Sequence, residues 1–87
     1  MSLKLPQQPS SLQEAKSVSK LSDSEGGSLE VTYTNYRNET STRHILPINL
    51  YYGNTKYHKE KQWILEVWDL DKDAYREYSL KDITFIK

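Results

Sequence analysis

A short segment of the sequence combines basic and aromatic side chains in a way that suits anion binding. Residues 56–61 read Lys-Tyr-His-Lys-Glu-Lys and precede a hydrophobic run that begins at Trp63. Cationic side chains can hold phosphate oxygens while aromatic rings stack on bases, so this composition is typical of sites for nucleotides and single strands. The alternative interpretation is a solvent-exposed basic loop, whose charge is balanced by the acidic turn that follows the same strand.

Two arginines differ from these loop cations because each lies in a segment of alternating hydrophobic and polar residues. Arg43 is the first residue of one such segment, and Arg76 shares its side of the alternation with Tyr78. A charge held on an inward face needs a partner of opposite sign. A guanidinium in that position suits either a protein carboxylate or an anionic ligand.

The other reactive side chains match no catalytic or metal-binding pattern. The acidic turn at 69–73 begins like a calcium loop, but Ala74 and Leu80 stand where that loop needs glycine and glutamate. His44 and His58 lie far apart in a chain that contains no cysteine, so we expect neither a metal nor another cofactor. No Gly-x-Ser-x-Gly elbow or glycine-rich phosphate loop is present, and we expect a non-enzymatic protein.

The elements that must position these side chains are short strands. Period-two alternation and turn residues predict strands over 29–34, 43–52, 63–68, 74–79 and 84–86. Pro47 cannot donate a hydrogen bond to a neighbouring strand, so we expect a sheet edge or a bulge there. Five short strands without a long helix between them predict a mainly β fold, namely a small barrel whose closure removes exposed sheet edges.

The alternation also predicts which residues form the core. Trp63, Leu65 and Val67 share one face of a strand and are expected inside. Ile64 and Trp68 lie on the opposite face, either as an exposed contact patch or packed beneath an N-terminal helix. On the second strand, the residues predicted to share one face are Leu46, Ile48, Leu50 and Tyr52.

Residues 1–27 form a polar N-terminal segment that differs from the aromatic-rich domain at 28–87. All ten aromatic residues follow it, and without them it cannot bury enough apolar area to offset about 1–2 kcal/mol of backbone entropy per residue. Ser11 and Glu14 nevertheless match a capping box, which predicts a short helix over 11–22. Such a helix needs a docking surface to persist, and the alternative is a disordered tail.

Charge and composition exclude several classes of protein. Twelve basic and twelve acidic residues give a net charge of zero, which argues against a protein that binds polyanions by overall attraction. No apolar run approaches the roughly 18 residues of a membrane span, and no signal peptide opens the chain. Together with the lack of cysteine, this predicts a cytoplasmic protein without a membrane partner.

The order of these residues along 28–87 resembles the WYL domain, a family named for its Trp-Tyr-Leu signature. The matching motifs are Val31-Thr-Tyr33, Arg43-x-x-x-Pro47, Trp63-Ile64-Leu65 and Arg76-x-Tyr78-x-Leu80-x-x-Ile83. The short stand-alone members are especially similar, through Gly53-x-Thr55-x-Tyr57-His58-x-Glu60-x-Gln62-Trp63. The resemblance implies a five-stranded barrel of the Sm-like (SH3-like) type.

The resemblance also implies a function. WYL domains serve as sensor modules in bacterial and phage transcription regulators and are thought to bind nucleotides or single-stranded nucleic acid through a basic patch. By position, it implies ligand-binding roles for Tyr33, Arg43, Arg76 and Ile64, which occupies the slot of the signature tyrosine. His58, from the short-member pattern, joins this set. The alternative is a protein-interaction module that forms homo-oligomers or binds another protein through strand edges or an Ile64 and Trp68 surface.

Overall fold

The computed structural model, which describes residues 8–21 and 27–86, is one antiparallel sheet with a helix packed on it. Its elements are α1 Leu12–Val18, β1 Leu29–Thr34, β2 Thr40–Gly53, β3 Gln62–Asp69, β4 Ala74–Ser79 and β5 Ile83–Ile86, with a 3-10 turn at Leu80–Asp82. The strand order is β4-β3-β2-β1-β5. The predicted mainly β fold with five strands and one N-terminal helix is confirmed. Within the described residues no ladder joins β4 to β5, so barrel closure stays a prediction.

The long strand β2 carries the bulge that its proline predicted. Pro47 lies opposite Val67 of β3, but Asn49 lies opposite Glu66, so one extra residue is inserted in β2. β2 is a central strand, paired with β1 on one side and β3 on the other. A proline without a backbone N–H is accommodated there by the bulge and not by a sheet edge.

The bulge reverses which face of the sheet the β2 side chains occupy. Leu46 is opposite Trp68, whereas Leu50 is opposite Leu65 on the other face. The prediction of one shared face is therefore wrong, because an inserted residue shifts the period-two alternation by one. The residues it grouped were Leu46, Ile48, Leu50 and Tyr52.

The two faces of the sheet carry separate hydrophobic clusters. We call one the front face, and its buried residues are Val31, Ile45, Leu65, Val67, Tyr78 and Ile83. The other is the helix face, where α1 inserts Ala15 against Leu46, Ile48 and Trp68. Within the described residues, no helix is long and apolar enough to cross a membrane.

The helix begins at the predicted capping box and is shorter than predicted. The Ser11 hydroxyl accepts a hydrogen bond from the Glu14 backbone N–H at 3.2 Å, and the Glu14 carboxylate accepts one from the Ser10 N–H at 2.6 Å. α1 ends at Val18 after about two turns. The last part of the predicted range, from residue 22, lies outside the described residues.

The chain after α1 is held by the β2 bulge. The Ser19 hydroxyl donates to the Pro47 carbonyl at 2.7 Å, and the Lys20 backbone N–H donates to the Ile48 carbonyl at 2.7 Å. These bonds require extended backbone at Ser19, which stops the helix before residue 20. Residues 11–20 are thus docked on the sheet, through α1 and through the bonds of Ser19 and Lys20 to the bulge.

Two core predictions on β3 need correction. Trp63 was expected inside, but it is 51% exposed. The β4 ladder reaches β3 only as far as Ile64, so no strand among the described residues covers Trp63 on that side. The Trp63 ring packs edge-on against Tyr52 with centroids 5.4 Å apart. The prediction that Ile64 and Trp68 form an exposed patch is also wrong, because these residues are 0% and 3% exposed.

Candidate ligand-binding cleft

An open cleft of about 1300 Å³ runs along β4 and brings together most of the residues predicted to bind a ligand. Four of those five residues line it, namely Tyr33, Arg43, His58 and Arg76. The β1–β2 turn, the β2–β3 loop and the 3-10 turn complete its walls. Ile64 lies on the helix face of β3 opposite Tyr51 and Ser79. Because its side chain is fully buried there, this placement removes it from the site.

The floor of the cleft is a buried carboxylate that sequence reasoning did not identify. Asp69 is fully buried at the end of β3, where its Oδ2 accepts a hydrogen bond from the Tyr78 hydroxyl at 3.0 Å. Its Oδ1 accepts from the backbone N–H groups of Asp71 and Lys72 at 2.9 and 3.0 Å. In the sequence, Asp69 lies on the same side of the period-two alternation as Leu65 and Val67, and this pattern could have indicated that Asp69 is buried.

Asp69 is also the counter-charge of Arg43. The Arg43 Nη1 lies 3.8 Å from Asp69 Oδ2, and the arginine side chain is 22% exposed. This distance is long for a hydrogen bond, and no acceptor within the described residues reaches the buried Nε. The guanidinium is therefore held by charge, and because its Nε is buried, an anionic ligand would bind its terminal nitrogens.

The second arginine, Arg76, lies on the outer strand of the sheet and faces the cleft. Its Nη1 donates to the Tyr75 carbonyl on its own strand at 2.9 Å. It forms no ion pair with any of the described residues, and its side chain is exposed. An exposed guanidinium without a carboxylate partner keeps most of its donors for a ligand.

A stacked pair of tyrosines lines the cleft together with the two arginines. The rings of Tyr33 and Tyr78 lie 4.1 Å apart between centroids at 24°. Burial raises the pKa of Tyr33, and Asp82 raises it further. Burial, followed by the charge of Asp69, raises the pKa of Tyr78 far above its ordinary value. Both hydroxyls therefore stay protonated near neutral pH and can donate hydrogen bonds.

The β2–β3 loop is folded over the cleft by a threonine. The Thr55 hydroxyl accepts from the backbone N–H groups of Tyr57 and His58 at 3.2 and 2.9 Å, and the Thr55 N–H donates to the His58 carbonyl at 2.8 Å. Lys56 places its Nζ 5.8 Å from the centre of the Tyr57 ring. Of the basic and aromatic segment at 56–61, Lys56, Tyr57 and His58 thus form one wall of the cleft, whereas residues 59–61 do not line it.

The cleft is lined by more basic than acidic residues, although the net charge of the whole chain is zero. The cationic residues that line it are Arg43, Arg76, Lys56, Lys72 and Lys81, and the acidic ones are Asp69, Glu77 and Asp82. Asp69 is buried, Glu77 accepts from the Tyr75 hydroxyl at 3.2 Å, and Asp82 lies 3.3 Å from the Lys81 Nζ. The cleft therefore carries a local cationic excess that the zero net charge conceals.

The remaining titratable pair lies outside the cleft lining. The His44 Nδ1 lies 3.1 Å from the Asp71 Oδ2 on the protein surface. Hydrogen bonding to Asp71 raises the pKa of His44, and the same bond lowers the pKa of Asp71. In the part of the chain that the structure describes, no group of three or more His, Cys, Asp and Glu residues could hold a metal ion.

Comparison with known proteins yields no match. No family model, no curated protein and no solved structure matches this chain. The resemblance to the WYL domain therefore depends on the quoted motifs alone, and membership of that family stays a prediction.

Proposed function

We propose that this protein is a non-enzymatic binding module for an anionic ligand that carries a base, such as a nucleotide or single-stranded nucleic acid. The observation that carries the proposal is the joint lining of one open cleft by Arg43, Arg76 and the stacked Tyr33 and Tyr78 rings. Two guanidiniums with unused donors suit phosphate oxygens, which they bind through charge-assisted hydrogen bonds. The half-buried Tyr33 and the loop residue His58 add an aromatic face and hydrogen-bonding groups at the same opening.

The biological role follows from the WYL resemblance. A ligand-binding barrel of that family would sense its ligand within a regulatory system of a bacterium or a phage, in the cytoplasm. Ligand binding in this cleft would report on nucleotides or exposed single strands without chemical conversion.

A salt titration tests the proposal. Binding of a hexathymidylate to the full chain is measured by isothermal titration calorimetry at several salt concentrations. For single strands, the logarithm of the affinity falls with the logarithm of salt with a slope of about 0.7 per phosphate contact. We expect salt-dependent binding that the double variant Arg43→Ala, Arg76→Ala weakens by at least about tenfold, because each charge-assisted bond contributes about 1.5–3 kcal/mol.

The matched control removes two positive charges elsewhere. Lys16 lies on the exposed side of α1 and Lys61 follows the loop, and neither lines the cleft. The double variant Lys16→Ala, Lys61→Ala should bind nearly as well as the unaltered protein. Equal losses in the two double variants would mean that overall charge, and not the cleft, attracts the oligonucleotide. No binding at low salt would refute the proposal.

A second candidate function is association through a strand edge, which one segment of β2 favours. β1 pairs with β2 only as far as Ile45, so residues 49–53 have no strand on that side among the described residues. This segment contains no charged residue, and Leu50 and Tyr52 are exposed beside Trp63. Natural proteins protect such edges with charges, so an uncharged edge suits pairing with a second chain.

Sedimentation velocity over a range of protein concentrations tests this second candidate. A concentration-dependent dimer that Leu50→Lys abolishes would support pairing through this edge. Phe85→Lys is the control, since Phe85 is also an exposed hydrophobic residue but lies on another strand. A monomer at all concentrations would count against self-association. The alternative surface formed by Ile64 and Trp68 is buried, so it is not accessible to a second chain.

A further inference from the structure

We infer that the ligand of the cleft is a strand of at least two nucleotides, whose bases stack on Tyr36 and Tyr57 while Arg43 and Arg76 hold the phosphates between them. This inference rests on the proposed function and names the ligand class more narrowly. Tyr57 belongs to the basic and aromatic segment at 56–61, whereas no binding role was predicted for Tyr36 from the sequence. Both line the cleft.

The first platform is the ring of Tyr36 in the β1–β2 turn. It is 89% exposed, and the neighbouring Arg37 guanidinium lies 5.5 Å from its centroid. The turn is fixed without this ring, because the Asn35 side-chain oxygen accepts from the backbone N–H groups of Arg37 and Glu39 at 2.9 Å each. Tyr36 therefore lies on a turn that hydrogen bonds of Asn35 hold in place, and its ring buries little surface against the rest of the protein.

The second platform is the ring of Tyr57 in the β2–β3 loop. It is 79% exposed, and Lys56 is its adjacent cation. Thr55 fixes the backbone of this loop through hydrogen bonds, so here too the ring is dispensable for local structure. Each platform thus pairs an accessible aromatic face with a cation, the combination that binds a base and its phosphate.

The two platforms come from opposite ends of β2. One loop precedes Thr40 and the other follows Gly53, yet both reach the same cleft. A bulge bends a strand, and the bulge at Pro47–Asn49 lies between these ends. The cleft volume of about 1300 Å³ exceeds the roughly 300–1000 Å³ of usual small-molecule pockets. If each platform takes one base, a ligand that occupies both carries at least two nucleotides.

The test compares hexathymidylate with an abasic hexamer of equal charge, and with a single nucleotide. The full chain is titrated by calorimetry with thymidine monophosphate, hexathymidylate and an abasic hexamer of the same backbone. We expect hexathymidylate to bind most tightly. Tyr36→Ala and Tyr57→Ala should each weaken it by about 5- to 150-fold, the effect of losing one stacked base. Binding of the abasic hexamer should be unchanged by either variant.

Tyr52→Ala is the matched control. Tyr52 is also exposed and aromatic, but it does not line the cleft, so its loss should leave hexathymidylate binding unchanged. Because Tyr36 and Tyr57 are largely exposed, their variants should keep the thermal unfolding curve of the unaltered protein. A thermal scan therefore separates lost stacking from lost folding.

The outcomes distinguish a failure of this inference from a failure of the proposed function on which it rests. Equal affinity for hexathymidylate and the abasic hexamer, or for hexathymidylate and the monophosphate, would refute base stacking on the two platforms. Anion binding by the cleft would not be refuted by either result. Full affinity in both tyrosine variants would have the same meaning. If none of the three ligands binds at low salt, the proposed function fails and the inference fails with it.

Discussion

Removing the charge of the buried Asp69 should destabilise the fold more than any other single neutralisation of an acidic residue. Asp69→Asn preserves the shape of the side chain and removes only its charge. The Asn oxygen can still accept from the N–H groups of Asp71 and Lys72, but as a neutral acceptor. Its amide group then replaces the oxygen that accepts from Tyr78 at 3.0 Å and neutralises Arg43 at 3.8 Å.

The contacts of Asp69 give the magnitude. Its carboxylate accepts three hydrogen bonds, and a bond to a charged group contributes about 1 kcal/mol more than a neutral one. The expected loss is therefore about 3 kcal/mol of unfolding free energy. For a domain of this size, such a loss lowers the melting temperature by about 12–24 °C. The total stability of small domains, about 5–15 kcal/mol, should leave the variant folded at room temperature.

Urea unfolding followed by tryptophan fluorescence measures this loss, since Trp68 is buried beside the same turn and donates to Asp73 at 3.2 Å. Asp71→Asn is the control, because it removes the same charge from an exposed side chain two residues away. It should move the urea midpoint much less. A free energy of unfolding within about 1 kcal/mol of the unaltered protein for Asp69→Asn would refute the reasoning.

Three further predictions concern other parts of the fold. Trp68→Ala should cost about 3–5 kcal/mol in urea unfolding and reduce helical circular dichroism, because α1 loses its docking surface; retained helicity would contradict this. His44→Gln should lower the urea midpoint between about pH 4 and 6.5, where a raised His44 pKa and a lowered Asp71 pKa both stabilise the folded state. Above the folded-state pKa of His44 the difference should vanish, so a constant difference would exclude the ion pair. Asn38→Val should cost about 1–2 kcal/mol in thermal unfolding, since residue 38 has φ of 65°, whereas Asn38→Gly should not.

Local patterns predicted most of the strands because alternation and turn residues act over a few positions. The range predicted for β4 agrees with the structure, and β1 agrees as well. The side-chain faces of β2 could not be predicted, because the position of the inserted residue Ile48 depends on pairing with β3. Trp63 was misassigned for a related reason, since its burial depends on how far the β4 ladder extends and not on its own neighbours in sequence.

The sequence predicted which residues contribute to the candidate site better than it predicted how they are arranged. The alternation placed Arg76 on the face of Tyr78, and charge reasoning required a partner for an inward arginine. Asp69 is the partner of Arg43 and not of Arg76, and their pairing depends on a contact between β2 and β3 that no local pattern specifies. Tyr36 and Tyr57 lie in loops, where alternation gives no orientation, and only the tertiary fold brings them to one cleft.

The hydrogen bonds that follow α1 have a consequence for the motions of the protein. A seven-residue helix is far shorter than the roughly 12–15 residues at which isolated helices become marginally stable, so α1 persists only while it is docked. The Lys20 amide, bonded to the Ile48 carbonyl, opens to solvent when the segment detaches. Its hydrogen-exchange rate should therefore exceed that of β2–β3 amides, and would measure how often the surface around Trp68 becomes accessible in the native state.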